Sequence, residues 1–161
     1  MTPVRPARRR PDRGSVSVEV AILTPAFLLL MVLAAIAGRT AVAQSTLQMA
    51  AHDAARAASI SRTATVAADR SRDAVLQRMN WEGLRCVGQP DVQLSGWIAG
   101  RGTVGFAEVF DEETVGEAAS VTVRISCEVT FADLARPADV PGSRVVEATF
   151  TSAVDRYRGR G

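Results

Sequence analysis

From Val20 to Gly38 the chain carries no charged side chain, and its centre, Phe27-Leu28-Leu29-Leu30-Met31-Val32-Leu33, is wholly apolar. As a helix rising about 1.5 Å per residue this run spans roughly 28 Å, close to the ~30 Å hydrocarbon thickness of a bilayer. Pro25 falls inside it. A proline there removes one backbone hydrogen bond, which membrane helices tolerate where neighbouring helices re-satisfy the backbone. Beyond Arg39 the apolar stripe gives way to alanines: Thr40 to Ile60 holds Val42, Leu47, Met49, Ala50, Ala54, Ala57 and Ala58 and neither proline nor glycine. Alanine is the best helix former, so one helix is expected from Ser15 to about Ile60, with a break at Ser61-Arg62-Thr63. A second helix is expected from about Thr65 to Met79, with Val66, Ala67, Ala74, Val75 and Met79 on its apolar side.

After Cys86 the period changes. Val121, Val123, Ile125, Cys127, Val129 and Phe131 alternate with polar residues, the pattern of a half-buried strand. A second strand is expected from about Arg144 to Val154, with Val146, Ala148, Phe150 and Val154 on one face. Pro137, Pro141 and Gly142 punctuate the connection between them. Asp91 to Ile98 and Thr103 to Phe110 are weaker strand candidates. The expected class is α+β: a long N-terminal transmembrane helix continuing outward, then a second helix and a small antiparallel sheet. The organisation follows as residues 1–14, a basic leader; 15–38, the transmembrane helix; 39–80, a helical region; and 81–161, a small β-rich domain.

Charge fixes the expected orientation. All 19 basic residues are arginine, and the net charge is only +2, yet Arg5, Arg8, Arg9, Arg10 and Arg13 crowd the N-terminus. Basic flanks stay cytoplasmic, so the remainder should lie outside the cytoplasm. A nucleic-acid-binding arm is the other use of such a cluster. With an apolar span directly behind it, the expected partner is the membrane and not nucleic acid. Cys86 and Cys127 then both fall in an oxidising compartment, which favours a disulfide between them over two free buried thiols. With the lone His52 they supply too few ligands for zinc.

Other motifs yield less. Gly100-Arg101-Gly102-Thr103-Val104-Gly105 matches a dinucleotide-binding pattern, but that pattern needs a strand before it and a helix after it. A flexible turn between strands is expected. Asp111-Glu112-Glu113 with Glu117 lacks EF-hand spacing and reads as a solvated loop. His52 is expected at the surface or packed, without an acid–base partner. No nucleophile–base constellation is visible, so neither catalysis nor a cofactor is expected. A membrane-anchored enzyme would need a clustered polar pocket in the outer domain.

Glu19, at the mouth of the span, is the informative residue. A carboxylate at the centre of a membrane helix costs about 2.5–3.5 kcal/mol. Near the interface the cost falls without vanishing, so Glu19 calls for a partner. A basic leader ending in Gly14, then Ser15-Val16-Ser17-Val18-Glu19, then an unbroken apolar helix, resembles the class III signal of type IV pilins and pseudopilins. The resemblance implies cleavage between Gly14 and Ser15 by a prepilin peptidase, with Glu19 becoming the fifth residue of the mature chain and serving subunit assembly. More narrowly, Arg13 through Pro25 and the leucine-rich run resemble the TadE/TadG-like proteins of tight-adherence pilus systems. Ala54-Ala55-Arg56-Ala57-Ala58 and the closing Val154-Asp155-Arg156-Tyr157-Arg158 fit that layout, while Val20 stands where many such pilins carry an aromatic. The implied function is a TadE-like minor pilin, or a membrane-anchored assembly protein, working with other Tad machinery subunits. The competing reading is a secretory signal cut after Ala43, in Ala41-Val42-Ala43, releasing a binding domain.

Overall fold

The computed structural model describes residues 15–132 and 142–155. Gly14 and the arginine leader, Pro137, Pro141 and the segment Arg156-Tyr157-Arg158 lie outside the described residues. Helix α1 runs from Ser15 to Ser59, passing through Pro25 and Gly38. Its threonine hydroxyls turn back on the helix: Thr24 Oγ1 donates to the Val20 carbonyl at 2.6 Å and Thr40 Oγ1 to the Ile36 carbonyl at 2.8 Å. An apolar surround would otherwise leave those groups unsatisfied. The break falls where expected. Thr63, in extended conformation, caps helix α2 (Ala64–Glu82) by accepting from the Val66 amide.

Helix α2 ends three residues later than Met79, because the first residue able to stop it is Gly83. That glycine adopts the left-handed conformation at φ 69°, and Leu84 donates back to the Met79 carbonyl at 2.9 Å. Its buried stripe is Ala67, Ser71, Val75 and Met79. Val66, expected on that stripe, is exposed instead. Ser71 takes a core position because its hydroxyl donates to the Ala54 carbonyl at 3.1 Å, satisfying a buried polar group across the helix pair.

Four antiparallel strands follow: β1 (Asp91–Ile98), β2 (Gly102–Val104), β3 (Ala119–Thr130) and β4 (Ser143–Val154), in the order β2-β1-β3-β4. The two helices cover one face of this sheet. α1 packs on β3 and β4, while Val75 and Met79 of α2 share a core with Val92 and Leu94 of β1. On β3, Val123, Ile125, Cys127 and Val129 point into that core and Val121 into a second cluster with Ala58, Ala67, Ile98 and Val109, all on the one face the alternation requires. Caught between α2 and the sheet, the outer half of α1 buries residues on more than one side. Ala43, Ala50, Ala51, Ala54, Ala55 and Ala58 are all at most 1% exposed, which lets the backbones approach closely.

One strand expectation needs correction. Of the stretch Thr103 to Phe110 only Thr103 and Val104 are in a strand, β2, which starts at Gly102, and Ala107–Phe110 forms a 3₁₀ turn. Glu108 closes that turn: its carboxylate accepts from the Gly105 amide at 2.8 Å while its own amide donates to the Gly105 carbonyl. The turn buries the consecutive residues Val109 and Phe110, which a strand would place on opposite faces. Val109 lies so close to Gly96 that a Cβ there would meet it at 2.2 Å, so β1 needs glycine at this point. Phe150 lies on its expected face of β4 yet stays 38% exposed. At that height α1 presents His52, and the two rings meet edge to face with centroids 4.6 Å apart.

Candidate assembly interface

The fold splits α1 into two halves of opposite character. From Val18 to Leu33 the large apolar side chains, Ile22, Phe27 and Leu30 among them, are 54–69% exposed, apart from the half-buried Val32. The helix is long and apolar enough to cross a membrane, with a mean hydropathy of 2.7 in its apolar window and none of that window buried by the protein itself. So large an apolar surface marks a membrane or an assembly contact. Glu19 is exposed at the start of this surface and has no ion-pair partner among the described residues. Ile22 and Leu23, one turn on, share its side of the helix. Ser15 opens the helix about one turn earlier, roughly 6 Å along the axis. The exposed alanines Ala26, Ala34, Ala35 and Ala37 leave room for another helix to approach.

The outer half of α1 is locked to its own domain by polar clasps at the rim of the core. Gln44 Nε2 donates to the Glu147 carbonyl of β4 at 2.8 Å. On the other side Arg78 of α2 donates through Nε and Nη2 to Asp53 Oδ2 at 2.9 and 2.5 Å, and the His52 ring nitrogen sits 3.3 Å from Asp53 Oδ1. His52 thus has a carboxylate neighbour that the sequence reading did not foresee. Burial alone would raise the Asp53 pKa, but the hydrogen bonds and charges of Arg78 and His52 outweigh it and hold the carboxyl below its ordinary value. A lowered pKa stabilises the fold above the unfolded carboxylate range near pH 4, and that contribution fades as pH falls through the folded value. Thermal melts at pH 5 and pH 3 should therefore fall less far for Asp53→Asn than for the wild type. The difference should be under about 1 kcal/mol, because the pair is partly solvated. Equal falls would remove the clasp from the account of acid stability.

Cys86, in the connection from α2 to β1, is disulfide-bonded to Cys127 on the buried face of β3, with Cα atoms 5.3 Å apart. Beside the bond the Val87 amide donates to the Glu128 carbonyl at 2.7 Å, so the connection is sewn to the sheet twice. Gly100 and Gly102, with φ of 83° and 80°, shape the turn between antiparallel β1 and β2, which is not a βαβ unit. Glu117 pairs with Arg101 across that turn at 3.0 Å. Among the described residues no group of three or more His, Cys, Asp or Glu side chains could hold a metal ion.

One apolar helix that outruns its own domain, continuous with a disulfide-closed α+β unit, defines a class: a protein held to a membrane by a single N-terminal helix whose outer half belongs to the core. Residues 14–56 match the model of the family described as TadE-like protein. The match covers 43 of the 161 residues, so the likeness is one of the N-terminal region, the apolar helix and the first turns that enter the core. No curated protein and no solved structure matches the chain.

Proposed function

We propose that the chain is a TadE-like minor pilin of a Tad-type pilus, a structural subunit and not a catalyst. The observation that carries this reading is the exposed apolar half of α1 with Glu19 at its head, inside the matched segment. In this proposal residues 1–14 are a cytoplasmic leader, 15–38 span the membrane, and 39–80 with 81–161 form the extracytoplasmic part. A prepilin peptidase cuts between Gly14 and Ser15, which removes the arginines and frees the Ser15 ammonium. Glu19 then pairs with the ammonium of a neighbouring subunit, offsetting the cost of a carboxylate in lipid. Other subunits of the Tad machinery are the partners.

Without cleavage the same chain is a membrane-anchored assembly protein. Release after Ala43 is the weaker alternative, since Ala43 is 1% exposed in the interior of a continuous helix whose next turns fill the core. Intact-mass measurement of the protein recovered from its native membrane and from the surrounding medium tests all three. An N-terminus at Ser15 supports the processed pilin, Met1 the uncleaved anchor, and Gln44 a secreted domain, which would overturn the proposal.

A further inference from the structure

No linker separates the outer domain from the apolar run. Helix α1 passes unbroken through Gly38, the last residue of that run, and Ala43, five residues or roughly 7 Å further on, is already sunk in the core. The polar headgroup layer extends about 5–7 Å beyond the hydrocarbon on each side. With α1 in a bilayer, the near end of the domain therefore stands at headgroup depth. Strand direction decides which residues form that end. Gln44 donates to the Glu147 carbonyl and the Ser152 hydroxyl to Ser59, so β4 climbs away from the span beside α1 and its first residues lie lowest. Val145 of β4 is paired with Glu128 of β3, whose carbonyl accepts from the Val87 amide on the other side. In the helical layer the end of α2 and the residues after it, Glu82 to Arg85, border one cleft with Val42 and Ala43.

The side chains at this end are unlike those of a solvated rim. Val42, Val87 and Val145 are each more than half exposed. Trp81, directly before Glu82, is 82% exposed, more than any other large apolar side chain among the described residues. Arg85 and Arg144 are exposed beside them, whereas the nearby carboxylates are engaged: Glu128 accepts from the Ser143 hydroxyl, and Glu82 lies 3.8 Å from Arg78. Tryptophan is enriched where lipid meets water, and an arginine there keeps its stem in apolar surroundings while its head reaches the polar layer. We propose that the near end of the outer domain rests in the lipid headgroup layer, with Trp81, Val87 and Val145 seated at its boundary. The domain then stands on the bilayer and is not held off it. The inference rests on reading α1 as a membrane span and concerns the chain in the membrane, before any assembly. It does not depend on which side of the membrane the domain occupies.

The two tryptophans of the chain supply the test, because Trp97 lies at the far end. It is paired with Ser120 and through it with Ala153, six residues or roughly 20 Å up β4 from Glu147. Full-length protein is reconstituted in phosphatidylcholine vesicles with a nitroxide on a fraction of the headgroups in both leaflets. Trp97→Phe keeps Trp81 as the reporter, and Trp81→Phe keeps Trp97. Trp81 should lose most of its fluorescence to the nitroxide and Trp97 almost none. Val87→Glu/Val145→Glu, made in the Trp97→Phe chain, should restore most of the Trp81 emission, since carboxylates resist the membrane boundary, and circular dichroism confirms that each variant is folded. Equal quenching of the two tryptophans overturns the proposal, as does Trp81 quenching that the double glutamate change leaves as it was. Vesicle flotation separates the two levels of failure: a chain that does not float refutes the span, whereas one that floats with Trp81 unquenched refutes only the seat in the headgroups.

Discussion

Glu19→Val is expected to leave the chain in the membrane and to remove it from assembled pili. Valine in place of a carboxylate makes insertion more favourable, because a charged side chain costs up to about 2.5–3.5 kcal/mol on insertion scales. A helix serving only as an anchor would gain from the change. Assembly would lose, because the neighbour's Ser15 ammonium would then be buried without its counter-charge. Breaking such a pair costs about 3–5 kcal/mol, which lowers incorporation by at least roughly a hundredfold. Immunoblots of sheared pili against the membrane fraction read both quantities at once. Wild-type levels of the variant in the pilus fraction would end the role proposed for Glu19 and leave the membrane anchor standing.

The second large effect concerns the outer domain. Cys86 and Cys127 are 41 residues apart, and in the chain-entropy model closing that loop stabilises by about 4 kcal/mol. Small domains hold a net stability of only about 5–15 kcal/mol, so the crosslink carries a large share. Cys86→Ser/Cys127→Ser should lower the melting temperature of the full chain in detergent by on the order of 15 °C. Reductant should do the same to the wild type and nothing further to the double variant. A loss of only a few degrees would mean that the paired hydrogen bond from Val87 to Glu128 and the β3 core hold the connection without help from the disulfide.

Much of this architecture is legible along the chain, because period and breakers are local. The strict alternation from Val121 leads to β3 and to the inward face of Cys127. Thr63 and Gly83 bracket α2, although the glycine had to be weighed above the last apolar residue to find its end. What escaped depended on contacts between distant segments. Ser71 sits in the core because a carbonyl of α1 waits for it, and Phe150 stays half out because His52 meets it there. Thr103 to Phe110 carries strand-like composition, but the Glu108 carboxylate closes a local turn before an extended edge can form. The Asp53–Arg78 clasp and the Gln44–Glu147 bond join residues 25 and 103 positions apart. No spacing rule links them.

The sequence alone determined that there is one apolar helix of membrane length, that an acid stands at its head, and that an α+β unit with two cysteines follows. Each is a property of a single contiguous stretch, where hydrophobic burial and backbone preference act without reference to the rest of the chain. The tertiary structure decided how the long helix is divided between two environments. From Ala43 onward its buried alanines are covered by α2 and the sheet, while before Arg39 the helix stands largely bare, because the domain packs only where small side chains let backbones come close. That division leaves the apolar half to lipid or to other subunits.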